Sequence, residues 1–146
     1  LSALRAVVRA FDGRIGPTLL STEILSAIGV ATPEQLVPWA AAASKADIAG
    51  LAPVVARAAE QGDAAATGIV EKAASDLAEL VRAAVERNGP WTDLVRLAFT
   101  GGLIAPGGPL RERAWSAVQA LPLRIDLLQE PVDAARGAAC IARTES

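Results

Sequence analysis

The stretch from Arg96 to Leu110, RLAFTGGLIAPGGPL, gathers four of the chain's twelve glycines within eight residues. An apolar run, LVRLAFT, leads into it, and LRERAWSAVQAL, spaced like a helix, follows. A second apolar run, LRIDLLQE, and a last helical segment, PVDAARGAACIA, come after that. Strand, turn, helix, strand and helix in this order predict an α/β unit with parallel strands. LVRLAFT is apolar over a strand's length without clean alternation, which predicts burial on both faces. Turns between a strand and a helix are where α/β proteins place ligands. Glycine there permits positive φ and lets a ligand approach the backbone. The spacing fits neither standard phosphate loop, because GGLIAPGG lacks the GK[ST] ending and is not G-x-G-x-x-G. From these residues alone, a ligand-binding turn and a plain chain reversal both stand.

Upstream of the turn the pattern is helical. In LSALRAVVRAFDG, Leu4, Val7, Val8 and Phe11 fall at helical intervals, with Gly13 suited to a left-handed cap. Thr18 or Ser21 can cap a second helix that stops at Gly29. Thr32, Pro33 and Glu34 open a third, which Pro38 should shorten or kink. Ser44 and Asp47 make an acidic capping box, and Gly50 and Pro53 weaken the helix that follows until it settles after Pro53. Gln61-Gly62-Asp63 reads as a stop and a fresh start. From Asp63 to about Arg87 runs the longest periodic segment, with a wide apolar stripe of Ile69, Val70, Ala73, Leu77, Leu80, Val81, Ala84 and Val85. Asn88-Gly89-Pro90 ends it.

Composition bounds the function. The chain is 52% hydrophobic but only 3% aromatic, so small aliphatic side chains must build a core of closely packed helices. A net charge of −2 argues against nucleic-acid binding, and no apolar run is long enough for a membrane span. With no histidine and a single cysteine, Cys/His zinc sites, Ser-His-Asp and Cys-His catalysis and an internal disulfide are excluded. The setting of Cys140, RGAACIA, predicts a buried small hydrophobe. The pattern predicts a cytoplasmic protein. The chain starts with Leu1 and contains no methionine, and two strands make no stable sheet by themselves; both lead us to expect a piece of a longer polypeptide.

Other clusters read blandly. Asp126, Glu130 and Asp133 are expected to be solvated or capping rather than metal ligands, with Asp133 favouring a helix dipole. Arg5 and Arg9 share a helix face and, with Arg14 and Lys45, are expected to be solvated. Arg111, Glu112 and Arg113 predict an exposed first turn. Trp39, Trp91 and Trp115 lack the basic interleaving of a single-strand nucleic-acid platform and are expected to pack.

Taken together, these segments resemble the C-terminal half of the BadF/BadG/BcrA/BcrD ATPase family, which includes N-acetylglucosamine kinases, within the actin-like ATPase superfamily. SALRAVVRAFDGR resembles the helix after the family's second phosphate loop. SKADIAGLAPVVARAAEQGDAAATGIVEKAASDLAELV resembles its paired helices, LAFTGGLI its adenosine strand and turn, and EPVDAARGAACIA its closing segment. The resemblance implies an α/β fold, the C-terminal subdomain of an actin-like (ribonuclease H-like) ATPase, mostly helical with two parallel strands and incomplete. Residues 1–146 would be one C-terminal nucleotide-binding domain fragment, with a helical part over 1–90 and a strand–helix–strand–helix part over 91–146.

The resemblance also assigns residues. Thr100, Gly101, Gly102 and Leu103 would form the adenosine turn, and Ala49, in Ile48-Ala49-Gly50, a second wall of the adenine pocket. ATP with Mg2+ would be the cofactor, Mg2+ being held mainly by the absent half, and an amino sugar or related sugar the substrate. The family's Asp-Gly-Gly-x-Thr loop, Gly-Thr-Gly-Ser loop, sugar-binding residues and catalytic aspartate have no match, so this chain alone is expected to be catalytically inert. Nucleic acid and membrane are not expected partners, and a homodimer is left open. Two alternatives remain. One is an ATPase activator of a 2-hydroxyacyl-CoA dehydratase or benzoyl-CoA reductase, against which the lone Cys140 counts, since those carry a cysteine-held iron–sulfur cluster. The other is a non-catalytic helical module in which the glycine turn only packs.

Overall fold

A computed structural model describes residues 1–144. Glu145 and Ser146, the end of the segment expected over 91–146, lie outside the described residues. The chain forms two compact units, Leu1–Ala73 and Ala74–Ser146.

The first unit is helical. It holds α1 (Ser2–Phe11), α2 (Leu19–Ile28), a 3-10 turn (Pro33–Gln35), α3 (Leu36–Ala42), α4 (Lys45–Ala49), α5 (Ala52–Glu60) and the start of α6 (Ala64–Asn88). Ala3, Leu4 and Val7 of α1 bury against α2, whose Leu20 and Ile24 are fully enclosed, and α2 packs in turn on α5. Phe11, spaced with them along the sequence, stays exposed. Glycine stops work as the sequence implies: Gly13, Gly29 and Gly62 follow helices with φ of 70°, 70° and 83°. Pro38 sits in the first turn of α3, where a missing N–H costs nothing, and the helix that follows the 3-10 turn is short, at seven residues. Ser44 and Asp47 close their capping box, with Ser44 N–H donating to Asp47 at 2.8 Å. Those bonds hold the Asp47 carboxyl below the usual range.

Asp63 joins two helix starts. Its carboxylate accepts from Ala66 N–H of α6 at 2.8 Å. It also accepts from the Thr18 hydroxyl at 2.8 and 2.9 Å and from Leu19 N–H at 2.7 Å. Thr18 Oγ1 in turn accepts from Leu20 N–H, capping α2. One carboxylate thus satisfies donors that two helices leave orphaned.

The second unit combines the rest of α6 with β1 (Val95–Leu97), α7 (Arg111–Gln119), β2 (Ile125–Leu127) and α8 (Ala134–Thr144). The strands pair in parallel, Val95 with Ile125, Arg96 with Asp126 and Leu97 with Leu127. Expected burial on both faces is not what forms. Arg96 and Asp126 face solvent, while Val95, Leu97, Ile125 and Leu127 face a core of Val81, Val85, Phe99, Ala114 and Val118. Helices cover one face of the described sheet, so the other carries charge.

Three further expectations change. The buried stripe of α6 is Ala66, Val70, Ala74, Ala78, Val81 and Val85. It is narrower than the pattern suggested, with Ala73, Leu80 and Ala84 exposed. Cys140 is exposed rather than buried. Alanine, glycine and cysteine occur all round α8, and such small side chains do not tell the inner face from the outer. Trp91 is also largely exposed, although its indole N–H donates to Val85 carbonyl at 2.8 Å near the end of α6.

Burial raises the Asp63 pKa, but its bonds with Ala66, Thr18, Leu19 and Ala65 outweigh burial and hold it below the usual aspartate range. Its stabilisation is therefore present above the unfolded-state pKa of about 3.9 and lost as pH falls through the folded value. Asp63→Ala is expected to cost about 2 kcal/mol at neutral pH, a lost cap plus orphaned donors. Urea unfolding should show the gap between wild type and Asp63→Asn narrowing from pH 7 to pH 3.

Candidate adenosine-binding turn

The turn after β1 closes on itself. Gly101 carbonyl accepts from Ile104 N–H at 3.3 Å and Ala105 N–H at 3.0 Å. Ala105 carbonyl takes Gly108 N–H at 2.8 Å, and Leu103 carbonyl takes Leu110 N–H at 2.9 Å. Gly108 carbonyl then receives Arg111 N–H, delivering the chain into α7. These bonds leave the N–H groups of Gly101, Gly102 and Leu103 without an acceptor among the described residues. Thr100, Gly101 and Gly102 are exposed and Leu103 is half-buried.

The four glycines differ in what they are for. Gly101, at φ 93°, and Gly107, at φ 79°, adopt left-handed backbone. Gly108 is required by contact: a Cβ there would lie 2.5 Å from Leu103 carbonyl oxygen and 2.8 Å from Ile104 nitrogen. Gly107 thus supplies a left-handed bend and Gly108 the close approach by which the turn folds back against Leu103. Gly102 has neither constraint; its φ is not left-handed, and a Cβ would meet open space.

Behind the turn lies the residue that sequence reasoning missed. Arg111, expected in an exposed first turn, is only 8% exposed. Its guanidinium donates to Ile104 carbonyl at 3.2 Å, Leu128 carbonyl at 3.0 Å and Gln129 Oε1 at 3.4 Å. It also lies 5.9 Å from the centroid of the Phe99 ring. One signal was available. A cation in the first turn of a helix opposes the dipole, so something else must hold it there. Glu112, beside it, is exposed as expected.

Ala49 ends α4 and is exposed in the first unit, whereas Thr100 to Leu103 belong to the second. A cavity of about 600 Å3 in the first unit is lined by Trp39, Ala46, Asp47 and Gly50 among others, but not by Ala49. Arg5, Arg9 and Arg14 are exposed along one apolar-floored groove, and Arg14 pairs with Asp12. Asp126 and Glu130 are solvated, and Asp133 caps α8 by accepting from Arg136 N–H at 2.9 Å. No described helix is long and apolar enough to cross a membrane.

Residues 1–142 match the sequence pattern of the BadF/BadG/BcrA/BcrD ATPase family along their whole length. The chain belongs to this family. It is 29% identical over 147 residues to an N-acetylmuramic acid/N-acetylglucosamine kinase of Clostridium acetobutylicum. That alignment takes in 99% of this chain and 48% of the relative, so the chain spans about half the length of the curated relative it matches. Family membership covers both units, the glycine turn and most of α8.

Gly108→Ala should push Leu103 out of place and destabilise the chain by about 2 kcal/mol, the usual range for overpacking. Gly102→Ala, entering open space, should stay within about 0.5 kcal/mol of wild type. Chemical denaturation of the two variants side by side checks both values.

Proposed function

We propose that this chain is the nucleotide-binding half of an ATP-dependent sugar kinase, most like an N-acetylglucosamine kinase, and part of a longer polypeptide. In this reading residues 1–146 act as a single C-terminal domain of an actin-like ATPase. The observation that carries it is the turn itself. In a chain of an ATPase family, three neighbouring N–H groups lie without acceptors at the C-terminal end of a parallel strand, before a helix. That edge of an α/β sheet is where nucleotides dock.

Thr100, Gly101, Gly102 and Leu103 would hold the adenosine. The backbone of Gly101 and Gly102 would approach the nucleotide and Leu103 would pack beside the base. The glycine at 102 supports this, because the fold itself does not demand one there. The chain fits an adenosine, a neutral group that needs backbone donors and small residues. The phosphate end, with Mg2+, would be held by residues outside this chain, as would the aspartate that takes the proton from the sugar hydroxyl. The hydroxyl oxygen would then attack the γ-phosphorus and displace ADP. Phosphoryl transfer needs these parts placed together, so the chain alone should turn over no substrate. Closure of the two halves would keep water from competing with the sugar. An amino-sugar substrate is supported by the similarity to the N-acetylmuramic acid/N-acetylglucosamine kinase of Clostridium acetobutylicum.

Titration of 15N-labelled chain with ADP, followed by amide NMR shifts, tests this reading. Shifts should concentrate on Thr100 to Leu103. Gly102→Asp should remove them by filling the approach with a carboxylate, while stability stays within about 0.5 kcal/mol of wild type. ADP binding unchanged by Gly102→Asp, or absent from wild type, would sink the assignment.

A further inference from the structure

We infer that Arg111 is a positioning residue that sets the geometry of the adenosine turn through the two-armed shape of its guanidinium. The inference rests on the nucleotide reading of that turn. The Arg111 side chain donates to none of the candidate ligand-binding residues and acts through their neighbours. One nitrogen holds Ile104 carbonyl, the residue directly after Leu103. The other holds Leu128 carbonyl and Gln129 Oε1, just past the end of β2. The guanidinium therefore ties the turn that follows β1 to the segment that follows β2. The strands themselves hold only three residues each, too short to fix this spacing by their own ladder. The Phe99 ring lies 5.9 Å from the guanidinium carbon, within reach of a weak cation–π contact.

The acceptors are all uncharged, and no carboxylate pairs with Arg111 among the described residues. A buried cation in that setting is costly unless its donors are well matched, and a planar fork meets that need where a single ammonium does not. Because the constraint is geometric, losing the fork should displace the turn's free N–H groups even when the charge is kept.

The decisive variant is Arg111→Lys. Amide NMR titration should show ADP binding weakened about tenfold, in line with losing one hydrogen bond from a charged group. Adenosine should weaken by the same factor, because the turn and not a phosphate contact has changed. A loss confined to ADP would overturn the inference in favour of a direct contact between the guanidinium and the diphosphate. Val118→Ala supplies the control, since it opens the same core from α7 while leaving the turn's bonds intact. It should lower the melting temperature and leave ADP affinity unchanged; equal weakening in both variants would overturn the inference as general loosening. If Arg111→Lys does not fold, Gln129→Ala, which removes one acceptor at an exposed position, carries the test. It should weaken binding about threefold, and unchanged affinity would overturn the inference. Wild-type affinity in Arg111→Lys removes this inference and leaves the nucleotide reading standing. Absence of ADP shifts in wild type removes both.

Discussion

A guanidinium taken out of water needs its donors filled, and the second unit is arranged around filling those of Arg111. The Ile104 and Leu128 carbonyls each accept from a different guanidinium nitrogen, and Gln129 adds a side-chain acceptor. Without these acceptors the buried cation would be untenable. With them, one side chain fixes the path of two loops that the short strands cannot fix. The turn's own backbone bonds and the entry into α7 lie beside that arrangement, and the Phe99 ring lies 5.9 Å from the guanidinium.

The first unit solves the mirror problem. There the buried charge is an anion, Asp63, and the groups that need filling are the N–H donors at the starts of α2 and α6. In both units one charged side chain bonds backbone that secondary structure leaves unpaired, and these two are the buried charged residues among those described. The composition explains why such pins matter. A core of alanine, valine and leucine with few aromatics buries little area per residue, so individual packing contacts are weak and weakly directional. Directional bonds then do more of the work of specifying how elements meet.

This division also accounts for what the sequence revealed. Helix ends were legible because their chemistry is local: Thr18, Ser44 and Asp63 cap, and Gly13, Gly29 and Gly62 stop. The parallel strand pair followed from the alternation of apolar runs and helical segments. Helix faces were less legible. On α6 the apolar pattern included Leu80, yet the buried side runs through Ala74 and Ala78, because alanine marks no face by itself. Arg111 was illegible for a different reason. Its partners lie 7 and 17 residues away, and nothing local distinguishes it from a solvated first-turn arginine except the opposing helix dipole.

The glycine turn is where local and non-local readings meet. Four glycines in eight residues look alike on paper, yet they do not all answer to one constraint. Gly101 and Gly107 meet the backbone's demand for positive φ, and Gly108 lets the chain pass against Leu103. Those three make the turn possible, and a turn that only packed would need nothing more. Gly102 is left over: exposed, conformationally ordinary and facing open space. A side chain there would cost the fold little, so its absence is better explained by what must come close from outside. That inference requires a turn held still enough to present its N–H groups, and stillness comes from the buried guanidinium beneath it. The candidate contact and the residue that positions it therefore belong to one device, of which the sequence displays the glycines and hides the arginine.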